Sequence, residues 1–106
     1  MNLKQFEEFV EKHGVFDWDG NGALPLSDLV VQRARRLLEY NPYGLLPGNM
    51  EAEPYGTITM TWGDDHLWID IEVHEDYEEL FIGGLVGERI MVFGARAVLS
   101  PFNEGA

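Results

Sequence analysis

The hydrophobic period of this chain changes once, near residue 56, and that change restricts the fold more than any other feature. Ahead of it, apolar residues recur at helical spacing: Leu3, Phe6, Phe9 and Val10, then Leu26, Leu29, Val30, Ala34, Leu37 and Leu38. Beyond it they alternate with polar ones. Ile58, Met60 and Trp62 interleave with Thr57, Thr59 and Thr61; Leu67, Ile69, Ile71 and Val73 interleave with Trp68, Asp70, Glu72 and His74. A stripe repeating every ~3.6 residues occupies one side of a helix, whereas an every-second-residue pattern occupies one face of a strand. The order predicts an α+β fold, with two N-terminal helices packed on a three- to four-stranded antiparallel sheet and residues 1–106 forming a single domain.

Local signals place the boundaries. Asn2 with Gln5 three residues on reads as a capping box, and Gly14 as a stop, so the first helix is expected near 2–13. Ser27 or Asp28 caps a second helix near 27–40, which Asn41-Pro42 ends. Its Arg33, Arg35 and Arg36 are expected to be exposed. Residues 41–56 hold three prolines and three glycines and read as an irregular connection. Gly63 to His66 turn one strand into the next; Tyr77–Ile82 and Ile90–Phe93 read as further strands. Residues 95–99 fit either an extension of the last strand or a short helix. Gly83-Gly84-Leu85-Val86-Gly87 lacks the Lys and following Ser/Thr of a phosphate loop and reads as a flexible connection. The helices are expected over the face carrying Ile58, Met60, Leu67, Ile69 and Ile71. The other face would show Thr57, Thr59, Trp68, Asp70 and Glu72.

Charge narrows the partners. Nineteen acidic against seven basic side chains give a formal net charge of −12, which repels phosphate backbones and anionic lipid. Direct nucleic-acid binding and membrane association are therefore disfavoured, and a basic protein partner is favoured. No apolar run approaches the ~20 residues of a membrane helix, and the N-terminus lacks the pattern of a secretory signal; a cytoplasmic location is expected. The absence of cysteine removes disulfides and thiolate chemistry. The two serines, Ser27 and Ser100, lie outside any nucleophile-elbow pattern, and no carboxylate pair stands out, so no catalytic residue and no enzymatic activity are expected.

From Leu37 to Glu88 there is no Lys or Arg. Acidic residues are densest around the second strand and its turns: Asp64, Asp65, Asp70, Glu72, Glu75, Asp76, Glu78 and Glu79, with Trp68 among them. These nine residues are the candidate partner-binding surface, with Trp68 as an aromatic anchor. The competing reading is a solvated face kept acidic for solubility. Asp64-Asp65-His66 and His74-Glu75-Asp76 also look like ligand clusters. Seven strand residues separate them by roughly 23 Å, so they make no joint site and each reads as a polar turn.

The segment Asp17-Trp18-Asp19-Gly20-Asn21-Gly22 matches the start of a calcium-binding helix–loop–helix loop. Asp17, Asp19, Asn21, the Ala23 carbonyl and Asp28 stand at ligand positions. Asp28 is shorter than the usual closing Glu, Pro25 stiffens the loop, and no second loop exists to pair with it. The competing reading makes Asp17, Asp19 and Asn21 turn formers and Asp28 a helix cap. Calcium at this loop is the one cofactor the sequence suggests.

The run Trp18 to Ser27, the stretch Arg33-Ala34-Arg35-Arg36, and the later Gly56–Trp62 and Leu67–Glu72 segments together resemble a group of small bacterial and phage proteins. That group carries a Trp-Asp-Gly-x-Gly-Ala motif ahead of an Ala-Arg-rich helix and a strand ending in Trp. The likeness spans about residues 17–80. It implies the element order above and a bacterial or phage source, and no activity. Members often have an aromatic residue where Asn21 stands, so the resemblance does not imply calcium binding. With the charge, it leads to the expectation of a non-enzymatic inhibitor that covers the basic groove of a host defence or nucleic-acid-binding protein, as anti-CRISPR proteins and other DNA mimics do. The alternatives are an immunity protein or antitoxin neutralising a basic toxin, and a calcium-dependent binding module.

Overall fold

The computed structural model describes residues 2–39 and 46–97. Two helices, α1 (Leu3–His13) and α2 (Asp28–Glu39), precede five strands: β1 (Asn49–Ala52), β2 (Ile58–Gly63), β3 (Leu67–Val73), β4 (Glu78–Val86) and β5 (Arg89–Ala97). The strands form one antiparallel meander in the order β1-β2-β3-β4-β5. The α+β prediction and both helix positions agree with this arrangement; the strand number does not, being five rather than three or four.

The capping box forms as read. The Asn2 Oδ1 accepts from the Gln5 amide at 2.9 Å, and the Asn2 amide donates to the Gln5 Oε1 at 2.9 Å. Each helix then buries its apolar stripe. Phe6 of α1 and Val30, Val31, Ala34 and Leu38 of α2 meet Met50, Ile58, Met60 and Val73 from the sheet. Burying such side chains contributes about 1.5–3 kcal/mol each before the loss of conformational freedom is counted.

The additional strand is β1, inside the segment expected to be irregular. Its four residues, Asn-Met-Glu-Ala, include only one buried side chain, Met50. An edge strand that short carries no readable alternation. Residues 83–86 also belong to a strand, β4, rather than to a flexible connection. Gly83 is there for space: a Cβ at this position would lie 2.2 Å from the Trp68 indole. Only Gly87, with φ +65°, sits in the tight turn between β4 and β5. Residues 95–97 continue β5; Val98 and Leu99 lie outside the described residues.

Two further expectations are corrected. Arg33 is not an exposed charge. Its guanidinium reaches Glu78 of β4, with Nη2 at 2.6 Å and Nε at 2.8 Å from Oε1, and Glu78 is 1% exposed. Arg35 is held too, by two-pronged contacts to Glu7 of α1 at 2.8–3.0 Å. The helices also cover less of the sheet than its apolar pattern suggests. Ile58 and Met60 are fully buried, but Leu67 and Ile69 on the same face remain 63% and 39% exposed. The helices pack over β1, β2 and the end of β3, and leave the β4–β5 hairpin bare.

Candidate functional site

The face away from the helices is built by strand parity. Its residues are Glu51 of β1, Thr59 and Thr61 of β2, Trp68, Asp70 and Glu72 of β3, and Glu79 and Phe81 of β4. The register sets Thr59 opposite Glu72, Thr61 opposite Asp70, and Gly63 opposite Trp68. Each threonine hydroxyl in this region meets a carboxylate. Thr61 Oγ1 donates to Asp70 Oδ1 at 2.6 Å, Thr57 Oγ1 to Glu72 Oε2 at 2.8 Å, and Thr59 Oγ1 to Glu53 Oε1 at 3.0 Å. Tyr55 adds a second donor to Glu72 Oε2 at 2.7 Å. That bond to Glu72, with partial burial and the nearby negative charge, pushes the Tyr55 hydroxyl up to about 12. Hydrogen bonds to charged acceptors are shorter and stronger than neutral ones, so the hydroxyl row orients these acids rather than leaving them loose.

Trp68 is half-buried, its indole lying across Gly83 of the neighbouring strand. With Glu51, Asp64, Asp65, Asp70 and Ile90 it borders an open groove that contains four carboxylates and, among the described residues, no cation. Asp64 and Asp65 sit on the exposed turn between β2 and β3. The Asp64 Oδ1 accepts from the amides of His66 and Leu67 at 2.8 and 3.1 Å, and these bonds lower its carboxyl below the usual value. Towards β5 the same face becomes apolar, with Leu85, Ile90 and Val92 exposed.

The remaining candidate residues divide. Glu75 and Asp76 are exposed on the turn between β3 and β4, and Glu75 Oε1 accepts from Ser27 Oγ at 3.1 Å. Glu78 lies outside this surface, because its parity matches Leu80 and Ile82 and turns it inward to Arg33. Glu79 faces outward, directly opposite Glu72. His74 joins this pair: Nε2 lies 2.9 Å from Glu79 Oε1 and 3.7 Å from Glu72 Oε1. Sequence reading left His74 in a polar turn with Glu75 and Asp76. The available signal was Glu72 and His74 at alternate positions, which share a face; finding Glu79 required the β3–β4 register.

The Asp17–Asp28 loop is bonded to itself. Asp17 Oδ1 accepts from the Gly22 amide at 2.6 Å, and Asp19 Oδ1 from the amides of Asn21 and Ala23 at 2.7 and 3.1 Å. The Ala23 carbonyl accepts from the Asp17 amide at 2.7 Å. Asn21 is exposed and Asp28 begins α2. Asp17 adopts φ +63°, which Asp tolerates better than most residues. Among the described residues, the group of three or more acidic or imidazole ligands with atoms within 4.8 Å of one another is Glu72, His74 and Glu79; the loop carboxylates form no such group.

Comparison with protein-family models, with curated proteins and with solved structures finds no match to this chain. No helix among the described residues is long and apolar enough to cross a membrane.

Proposed function

We propose that this protein is a non-catalytic binding protein that docks a basic partner protein on the open face of its sheet. The observation that carries the proposal is the groove beside Trp68, where four carboxylates converge without a cation. Threonine hydroxyls hold Asp70 and its neighbours in place, which lowers the ordering cost of binding. Trp68 offers a large ring at the centre, and the flanking Ile90 and Val92 add apolar area. Carboxylates spaced along strands imitate the charge of a nucleic-acid backbone. The reading is therefore of an inhibitor that occupies the basic groove of a host defence or nucleic-acid-binding protein, in keeping with the resemblance to small bacterial and phage proteins. An immunity protein or antitoxin acting on a basic toxin uses the same physics.

The test measures binding to a purified basic partner recovered from host lysate or supplied by a neighbouring gene. Reversing Glu51, Asp64, Asp65 and Asp70 to Lys is expected to slow association at least tenfold, because complementary charge acts on encounter. Raising the salt should slow the wild type similarly, since exposed charges are screened beyond ~8 Å at physiological ionic strength. Trp68→Ala should mainly accelerate dissociation. Equal association by the charge-reversed variant, with no salt dependence, would reduce the acidic face to a solvated surface.

A further inference from the structure

We infer that Glu72, His74 and Glu79 form a binding site for a first-row divalent cation such as Zn²⁺. The register sets two glutamates directly opposite each other on neighbouring strands. Like charges so placed are destabilising unless a positive charge lies between them. Arg96, opposite Glu79 in the next register, does not supply it. Its guanidinium lies over the Tyr77 ring, 4.4 Å from the centroid, and it makes no ion pair with either glutamate among the described residues.

The geometry is that of a chelating set. One ligand atom from each residue lies within 4.8 Å of the other two, with His74 Nε2 at 2.9 Å from Glu79 and 3.7 Å from Glu72. Bonds of ~2.0–2.2 Å to a tetrahedral ion place ligand atoms about 3.3–3.6 Å apart, so small side-chain shifts close the set. His74 Nε2 carries the independent observation. It is sealed from solvent and makes no hydrogen bond, although Glu79 Oε1 lies 2.9 Å away. A ring nitrogen closed off from water, without a hydrogen bond and 2.9 and 3.7 Å from two carboxylates, is placed as a metal ligand is.

The surroundings hold the ligands in place. Tyr55 and Thr57 both donate to Glu72 Oε2, leaving Oε1 towards His74, and the His74 ring stacks on Tyr77 with centroids 4.3 Å apart. Outer contacts of this kind orient metal ligands and are worth roughly 10–100-fold in affinity. Two carboxylates balance a dication, and the imidazole nitrogen favours zinc over magnesium. Bound there, the ion ties the turn after β3 to the start of β4.

The test is calorimetric titration of the chelator-treated, dialysed full chain with ZnCl₂. One site is expected, weakened at least 100-fold by His74→Ala or Glu79→Gln and roughly tenfold by Tyr55→Phe. It should be unchanged in Asp17→Asn/Asp19→Asn and in Asp64→Asn/Asp65→Asn, and MgCl₂ should give no comparable site. A measurement on the unaltered protein guards against misfolded variants: Mn²⁺ added to it should broaden the imidazole signals of His74 and spare those of His13 and His66. Absence of a zinc site, zinc binding that survives His74→Ala in a folded variant, or broadening centred on His66 would each overturn the inference.

Discussion

The two halves of the sheet share a backbone ladder and differ in everything packed on it. Over β1, β2 and the end of β3, the helices seal Ile58, Met60 and Val73 from water. Over β4 and β5 the described residues provide no such layer, and Ile90, Met91, Val92 and Phe93 stand 42–69% exposed on both faces. The covered half is a core; the bare half is a ribbon joined to it through β3. A strong link from helix to ribbon is electrostatic, the Arg33–Glu78 pair. The sheet is thus wider than the helices can shelter, and its outer part is a surface with an apolar composition rather than part of the interior.

The sharpest way to break this comparison is to truncate one aromatic in each half. Phe6→Ala should cost about 3–5 kcal/mol in denaturant unfolding, as a large cavity in a closed core does. Phe93→Ala should cost less than ~1 kcal/mol, because its ring already faces water. A Phe93 loss above ~2 kcal/mol, or one that grows with protein concentration, would mean that the ribbon is covered in solution by another molecule.

Next in size is the link itself. Glu78→Gln should cost about 3 kcal/mol, since it breaks the Arg33–Glu78 ion pair in a mostly buried site. Glu79→Gln, one residue on and facing outward, should change stability by under ~0.5 kcal/mol in metal-free buffer. A double variant, Arg33→Met with Glu78→Leu, should recover most of the loss. Equal costs at the two glutamates would undo the distinction between the inner and outer faces of β4.

How far these differences were legible in the sequence follows from their range. The capping box and the apolar stripes acted within a few residues and gave both helices to within one residue of their ends. Alternation gave the β2–β3 hairpin for the same reason. β1 was hidden because a four-residue edge strand with one buried side chain has no period to detect. Glu78 looked like part of an acidic run, although its parity with Leu80 and Ile82 pointed inward; its partner lies 45 residues away. The Glu72–His74–Glu79 cluster was half-visible, as two residues on one strand face, and completed only by register. The acid density around Trp68 was readable directly, while the threonine hydroxyls that orient it emerged from cross-strand neighbours.

The smallest effect belongs to Tyr55, at the margin of the covered half. Its hydroxyl is raised to about 12 chiefly by its bond to the Glu72 carboxylate. A raised acid favours the neutral, folded form. Its contribution is therefore whole below the ordinary tyrosine value of ~10 and lost as pH climbs through about 12. The melting-temperature gap between wild type and Tyr55→Phe should be small, level up to that ordinary value, and shrink above it. A gap that shrinks already near neutral pH would show that the bond to Glu72 is not its source.

The meander has a kinetic consequence. Every strand pairs with its neighbour in sequence, so the sheet can assemble by successive closure of short loops, each with a small entropic barrier. Docking α2 is another matter, since Ser27–Glu75 and Arg33–Glu78 each join residues 45 or more positions apart. Hairpins close in microseconds, whereas distant contacts must overcome a larger search. Such a chain reaches its ladder early and its core late. During that interval both faces of the sheet are open to water, as Ile90 to Phe93 remain among the described residues afterwards.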